Sequence, residues 1–301
     1  MSLKLHDNSY ANSFGNIKEE NIEDLYVKEW YKRYKMKLHH KQYLTTDFLI
    51  YNSFSSELVK FVFEICSRFG VNRRIKYMCL ELFDLYLNKI FFYKYKKIKK
   101  CEKNWNEFLK QSKNQSSLRV LSCIQLVLKF MHRFTNLKLI EMKNMLHQFG
   151  QMHTINDIIS SEVYVFHTIE YKLNEPSMYT FVEYFIIICG YDNENELLTL
   201  CSVISDFVYI YYQSICDSLL HKKGQQEFSC NKKVQILFGE FQKTSIAASI
   251  IITSAYLLNY RDETIKLTIV ELAKECNRSS NDLSLLSFAI INVIKNKIFQ
   301  C

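Results

Sequence analysis

The fold is indicated most clearly by residues 244–260, TSIAASIIITSAYLLNY, a stretch without a charged side chain. A helix that is apolar on every side belongs either in the centre of a protein core or in a membrane. The stretch is at the short limit for a membrane span, and its serine, threonine and asparagine residues argue against that location. We therefore expect a buried helix whose small residues let its neighbours approach closely.

A second stretch of this kind lies at residues 120–130, VLSCIQLVLKF, with the small Ser122 and Cys123 inside it. Each stretch is the third of five segments with helical spacing. The first set is 55–69, 74–92, 116–130, 137–150 and 160–173, with a polar loop up to Asn114; the second is 178–190, 196–220, 244–258, 264–277 and 281–299. The order predicts an all-α chain in which four helices surround one central helix, twice in tandem.

The composition excludes several other classes of protein. Six glycines and one proline occur in 301 residues, against roughly 21 and roughly 15 at average usage, so a large β fold with many tight turns is not expected. The sequence contains no glycine-rich phosphate loop, no HExxH and no GxSxG, which are the motifs of common enzyme sites. Cysteines and histidines at metal-ligand spacing are also absent. We therefore predict no catalytic residue, no metal and no cofactor, and a protein that is not an enzyme.

The cysteines indicate a reducing compartment. Ten are scattered along the chain without a CxxC pair, and most lie in apolar runs, as expected of buried free thiols. The first residues contain no apolar run that could serve as a signal peptide. These features favour the cytosol or the nucleus.

The net charge of +8 is unevenly distributed. Lysines are densest at residues 94–103, and a second basic run at residues 28–41 includes aromatic residues. Both runs are interpreted as solvated helix faces, with a nuclear-import signal at KYKKIKK or a surface for an acidic partner as alternatives. Neither run contains a nucleic-acid-binding motif.

The sequence divides into four regions. Residues 1–17 are polar and are predicted to form a mobile tail. Residues 18–48 are predicted to contain an N-terminal helix, because acidic residues come early in it and basic residues late, as a helix dipole favours. The two bundles are assigned to residues 49–175 and 176–301. Pro176 lies at their junction, where it disfavours helix for the residue before it.

Two five-helix bundles in tandem form the cyclin fold, and three segments resemble a cyclin box. FVFEICSRFGVNRRIKYMCLELFDLYL resembles its first two helices, with the acidic Asp84 near the end of the second. LRVLSCIQLVLKF resembles the third helix, in which an apolar run is followed by Lys, here Lys129. SSEVYVFHTIEYKLNEP resembles the fifth helix, with Glu162 at the position of the glutamate that cyclins carry there.

From about residue 20 to its end, the chain is similar to the cyclin N-terminal domain-containing protein 1 family of meiotic cyclin-like proteins. NIED, SLRVLSCIQL and MHTINDIISSE carry this resemblance. It implies a nuclear protein on meiotic chromosomes that promotes the maturation of recombination intermediates into crossovers. The implied partners are a cyclin-dependent kinase and crossover proteins, with no membrane and no direct sequence-specific nucleic acid.

The resemblance also implies that Lys129 and Glu162 hydrogen-bond backbone groups of the kinase. Cyclins push the αC helix of the kinase inward, so that its Glu pairs with the Lys that holds ATP phosphates. Without the resemblance, Glu162 is equally interpreted as a carboxylate that stabilises the first turn of its helix through the helix dipole. Lys129 is equally interpreted as a solvated residue at a helix end. Both interpretations remain open at the level of sequence.

Departures from the cyclin pattern leave other functions open. The substrate-docking segment is replaced by FSSEL, with Ser55 at the Arg position and Phe61 at that of a Trp; Met131 and His132 replace an acidic pair. The alternatives are a kinase-independent scaffold that bridges crossover factors, or a general cyclin of the cell cycle or transcription. Nucleic-acid binding of the kind seen in general transcription factors with tandem cyclin boxes is a further alternative. Those proteins carry an N-terminal zinc ribbon, whereas this chain has no cysteine before Cys66.

Overall fold

The regular structure in the described part of the chain is helical, which confirms the all-α prediction and is consistent with a cyclin-like fold. The structure is a computed structural model that describes residues 56–98, 102–131, 137–173, 175–191, 194–222 and 243–298. These residues contain twelve α-helices and no β-strand. All of them fall within one compact unit, Ile50–Cys301. The predicted tail, the N-terminal helix and the basic run at residues 28–41 lie outside the described residues.

The helices fall into two sequential sets of six rather than five. The first set is α1 Ser56–Arg68, α2 Arg73–Ile98, α3 Glu102–Asn114, α4 Ser116–Met131, α5 Leu139–Gln148 and α6 Ile155–Thr168. The second set is α7 Met178–Ile188, α8 Asn195–Ile210, α9 Tyr212–Lys222, α10 Lys243–Leu257, α11 Asp262–Cys276 and α12 Ser280–Ile298. The division of the chain into two boxes at Pro176 stays a prediction.

The two apolar stretches form the centres of the two sets, as predicted. Helix α4 is buried from Ser117 to Leu128 apart from Arg119, and packs against α1, α2, α3, α5 and α6. Helix α10 is buried at every position from Thr244 to Ala255 and packs against α7, α8, α11 and α12. Within the described ranges, no helix is long and apolar enough to span a membrane.

Several hydroxyl groups in these central helices find partners inside the core, whereas the buried Ser245 Oγ of α10 has none among the described residues. Ser122 Oγ donates to the Leu118 carbonyl oxygen at 2.9 Å, and Ser254 Oγ donates to the Ile250 carbonyl oxygen at 2.8 Å. A bond to the carbonyl four residues earlier satisfies a buried hydroxyl without a partner on another helix. Serine can therefore keep a buried helix surface small without leaving a polar group unpaired.

The predicted polar loop before Asn114 is wrong, because α2 continues past Phe92 to Ile98 and α3 occupies Glu102–Asn114. Helix α3 has only one buried residue among those with described side chains, Phe108. Its lysine, glutamate and glutamine residues have high helix propensity. A helix with a single buried anchor shows little apolar periodicity, so the sequence pattern missed it.

The predicted single helix at residues 196–220 is also wrong, because Tyr211 separates α8 from α9. Its backbone leaves the helical region at φ −110° and ψ 24°, although its amide still donates to the Phe207 carbonyl oxygen at 2.9 Å. The two parts have different neighbours. Helix α8 packs against α1 and α10, whereas α9 packs against α12. The break at Tyr211 lets two parts of one continuous apolar sequence pack against different helices.

Helix α6 begins at Ile155, five residues before the predicted Ser160 cap. Thr154 and Asp157 form a capping box: Thr154 Oγ1 accepts from the Asp157 amide at 3.1 Å, and Asp157 Oδ2 accepts from the Thr154 amide at 2.7 Å. The Thr154 amide and hydroxyl, which both donate to this carboxylate, hold the pKa of Asp157 below its usual value. Glu162 therefore lies in the middle of α6. A helix dipole acts mainly within the first turn, so it does not account for Glu162.

Seven cysteines fall within the described residues, and all are free thiols. Cys189 is half-buried and the other six are buried, as predicted: Cys66, Cys79, Cys123, Cys201, Cys216 and Cys276. Burial raises the pKa of the Cys201 thiol to about 12. The thiolate is the nucleophilic form, so these residues act as packing groups. The remaining cysteines, at positions 101, 230 and 301, lie outside the described residues.

Glu81 connects the two sets of helices through one carboxylate. Its Oε1 accepts from the Met178 amide at 2.7 Å and from the Tyr209 hydroxyl, and its Oε2 accepts from Lys243 Nζ. Lys243 also donates to the Pro176 carbonyl oxygen at 3.1 Å. Since Met178 is the first residue of α7, the carboxylate also lies at the positive end of that helix.

A second contact between the sets is centred on Asp206 of α8. It accepts from Lys76 Nζ at 2.6 Å and from the Tyr77 hydroxyl at 2.7 Å. The Tyr77 ring stacks on Tyr209 with the centroids 5.4 Å apart, and its hydroxyl also donates to the Ser202 carbonyl oxygen at 3.0 Å. Polar and aromatic contacts therefore fix α2 against α8.

Candidate partner-docking surface

Lys129 and Glu162, which are far apart in sequence, are brought together on the protein surface. Lys129 lies in the last turn of α4 and Glu162 in the middle of α6. Lys129 Nζ is 2.5 Å from Glu162 Oε1, and the two side chains are 44% and 14% exposed. The two predicted site residues therefore form one site, in which the lysine is the more accessible partner.

Helices α4 and α6 are held together by a polar contact beside this pair. Ser122 Oγ and Ser161 Oγ are 2.6 Å apart, and Arg119 Nη1 donates to Ser161 Oγ at 2.8 Å. The Arg119 guanidinium also lies over the Tyr164 ring, 4.5 Å from its centroid. Ser161 precedes Glu162, so these contacts fix the stretch of α6 that presents the glutamate.

Sequence reasoning missed this support. Ser122 was predicted only as a small residue of a central helix, and Ser161 only as part of a helix start. The available signal was Arg119, the one charged residue at the beginning of the apolar stretch of α4. A charged side chain there must reach a polar partner, but the sequence does not indicate that the partner is on α6.

Exposed apolar side chains flank the ion pair. Ile159 and Val163, on either side of Glu162 on α6, are 44% and 51% exposed, and Phe130, next to Lys129, is 48% exposed. Residues four apart lie on the same face of a helix, so Ile159 and Val163 form one apolar strip. We call the five residues Lys129, Phe130, Ile159, Glu162 and Val163 the docking surface.

The docking surface is suited to binding a protein backbone. A lysine ammonium has three donors, of which one is used by Glu162, and a carboxylate accepts several hydrogen bonds. The pair can therefore donate to a carbonyl and accept from an amide while the apolar residues are covered. No group of three or more potential metal ligands occurs among the residues for which the structure gives positions.

The positions that depart from the cyclin pattern are only partly described. Phe61 is half-buried on α1, and its ring centroid lies 5.0 Å from that of Phe149. Met131 is half-buried at the end of α4, and Asp84 is half-buried on α2. Ser55 and His132 lie outside the described residues. Phe61 therefore serves packing between α1 and the end of α5.

Two curated proteins resemble the chain over most of its length, whereas no family model matches it. The human protein named cyclin N-terminal domain-containing protein 1 is 26% identical over 226 residues, covering 68% of this chain and 66% of the relative, just under two thirds. The mouse protein of the same name is 23% identical over 260 residues, covering 78% of this chain and 74% of the relative. With its all-α, cyclin-like fold, the chain is similar over most of its length to the proteins named cyclin N-terminal domain-containing protein 1.

Proposed function

We propose that the protein is a cyclin-like regulatory or scaffold subunit that binds a cyclin-dependent kinase through the docking surface. Its place of action is the nucleus, at designated recombination sites on meiotic chromosomes, where it promotes the maturation of crossovers together with crossover proteins. The observation that carries the kinase contact is the ion pair between Lys129 and Glu162, together with the exposed apolar residues next to it in the sequence. The meiotic role rests on the resemblance to the family.

The physical case for a protein partner lies in the combination of apolar and charged groups. Exposed apolar residues gain free energy when they are buried, at about 25 cal/mol per Å² of apolar surface. Protein interfaces concentrate their binding energy in a few central residues, and aromatic anchors such as Phe130 are common among them. The Lys129–Glu162 pair adjoins Phe130 and Val163 in the sequence, and it would orient the partner by hydrogen bonds.

The proposed mechanism is allosteric and needs no catalytic residue from this chain. The rigid face of α4 and α6 packs beside the αC helix of the kinase and holds it inward. In that position the αC glutamate pairs with the lysine that binds the ATP phosphates. The contacts of Arg119 with Ser161 and Tyr164 hold α6 in place against α4 when the kinase helix packs on it.

Replacing Ile159 and Val163 together by aspartate is expected to weaken kinase binding by roughly thirtyfold or more, because carboxylates would then be desolvated in the interface. Both positions are exposed, so the fold should be retained. The matched control is the replacement of Leu267 and Val270 of α11 by aspartate, since these are 72% and 60% exposed. Cyclin-dependent kinases that co-purify from germ cells are quantified for each variant. Equal kinase recovery with both double variants would contradict the proposal.

The kinase-independent scaffold is the alternative, because Met131 and His132 stand where cyclins carry an acidic pair. Germ cells that express the Ile159→Asp, Val163→Asp variant separate the two functions. Reduced crossover numbers are expected if the kinase contact is required. Normal crossover numbers, together with lost kinase binding, would favour the scaffold.

A further inference from the structure

One of the two basic runs of the sequence lies at the end of α2 and in α3. Residues 94–113 contain eight lysines and two glutamates, so this segment carries +6 of the net charge of +8. The structure describes the backbone of residues 94–98, at the end of α2, and of residues 102–113, in α3. We call residues 94–98 of α2 together with α3 the basic arm.

The basic arm contributes little to the core. Phe108 is its one buried residue among those whose side chains are described. The main contacts of α3 are with α2 and α4, its neighbours along the chain. The five-helix pattern of the sequence has no place for α3. A helix with so little buried surface gains little stability from packing, so its lysines are not explained by the fold.

The lysines with described side chains are available to a partner. Lys110 and Lys113 are exposed on α3. Lys94 is half-buried, with its ammonium 5.9 Å from the centroid of the Phe108 ring. Among the residues that the structure describes, no ion pair involves any of these three lysines. Lys89, by contrast, is paired with Glu170 and lies outside the basic arm.

We infer that the basic arm binds nucleic acid through the phosphate backbone, without reading the base sequence. Lysine, asparagine, glutamine and serine side chains are common donors to phosphate oxygens, and α3 presents exposed Asn104, Asn106 and Gln111 between its lysines. Duplex DNA carries one negative charge per about 1.7 Å of its axis. From Lys103 to Lys113, the helix extends about 15 Å at its ordinary rise, so several phosphates fall within reach.

An acidic protein surface fits the basic arm less well. Stable protein interfaces have an apolar core surrounded by polar groups, and Leu109 is the one exposed aliphatic residue among the described side chains of α3. The docking surface differs in this respect, because it includes the exposed apolar residues Phe130, Ile159 and Val163. The basic arm offers charge and hydrogen-bond donors without such a core, as phosphate binding requires.

This site is distinct from the docking surface, and the inference does not depend on kinase binding. Helix α3 ends at Asn114, just before Ser116 at the start of α4. Lys129 lies thirteen residues after Ser116, about 20 Å along the helix axis. The C-terminal end of α3 therefore lies at the opposite end of α4 from Lys129.

The test compares the full chain with the Lys110→Glu, Lys113→Glu variant for binding to a mixed-sequence DNA duplex of about 30 base pairs, across roughly 50–200 mM salt. The wild type should bind with an affinity that falls steeply with salt. The variant should bind roughly tenfold less tightly, with the slope of log affinity against log salt reduced by about 2. The matched control is Lys266→Glu, Lys274→Glu on α11, which makes the same charge change at two exposed lysines and should bind within about threefold of the wild type.

Three results would overturn the inference. The first is no measurable binding by the wild type at the lowest salt concentration. The second is an equal loss of affinity in the two double variants, which would reduce the effect to net charge. The third is displacement of the duplex by polyglutamate as effectively as by unlabelled duplex at the same concentration of negative charge. That result would indicate an acidic protein as the partner of the basic arm. Thermal unfolding of each variant confirms that the comparison is made between folded proteins.

Discussion

Replacement of Glu81 by alanine is expected to lower the free energy of unfolding by about 3 kcal/mol. The carboxylate is 15% exposed and accepts hydrogen bonds from the Met178 amide, the Tyr209 hydroxyl and Lys243. Removing it takes this acceptor from the Met178 amide and the Tyr209 hydroxyl, whereas Lys243 keeps its hydrogen bond to the Pro176 carbonyl oxygen. Burial and the nearby Glu81 charge raise the pKa of Tyr209 well above its usual value, so its hydroxyl stays protonated and has to find another partner.

The measurement is equilibrium unfolding in urea, with Glu64→Ala as the matched control. Glu64 is an exposed glutamate paired with Arg68 within α1, and exposed pairs of this kind contribute about 0.2–1 kcal/mol. A loss below about 1 kcal/mol for Glu81→Ala, equal to the control, would show that water replaces the carboxylate without cost. The account of the contact between the two sets of helices would then be wrong.

Replacement of Ile251 by alanine is expected to lower the free energy of unfolding by about 2–5 kcal/mol. Ile251 is fully buried in α10, which four other helices surround. Deleting its outer carbon atoms removes apolar contacts and leaves a cavity that the surrounding helices can close only in part. The cost should be near the upper end, because a central helix cannot move toward one neighbour without leaving another.

Leu267→Ala provides the control for this prediction, measured in the same urea unfolding experiment. Leu267 lies on α11 with most of its side chain in solvent, so its loss should change the free energy of unfolding by less than about 0.5 kcal/mol. Equal effects at positions 251 and 267 would contradict the assignment of α10 as the centre of its set.

The central helices could be predicted from sequence because a helix surrounded on all sides needs apolar or small residues at every position. Residues 120–130 and 244–260 can therefore be identified as central helices from their own composition, without knowledge of the helices around them. Helix α3 has one buried residue in a polar segment. A segment of this composition has no apolar periodicity, so the sequence predicts a loop there. The start of α6 was missed because Thr154 and Asp157 lie before the apolar periodicity on which the prediction relied.

The candidate site was predicted only where a family resemblance named its residues. Lys129 and Glu162 were predicted as a pair in this way, and the structure places them in contact. Glu81 was not predicted, because its partners lie 97 to 162 residues away in the chain. A polar contact across such a distance leaves no local pattern. Ser161 was missed as a contact of Arg119 for the same reason.

The measurement that tests the central claim most directly is kinase binding by the double variant Lys129→Glu, Glu162→Lys. The exchange keeps opposite charges facing each other, so the free protein should fold normally, while the hydrogen-bonding groups offered to a kinase are reversed. The control exchanges Arg74 and Glu183, an ion pair between α2 and α7 with a 2.7 Å contact. We expect the Lys129 and Glu162 exchange to lower affinity by roughly thirtyfold or more, equivalent to about 2–5 kcal/mol, and the control to bind normally. Unchanged kinase co-purification with the Lys129→Glu, Glu162→Lys variant would contradict the account.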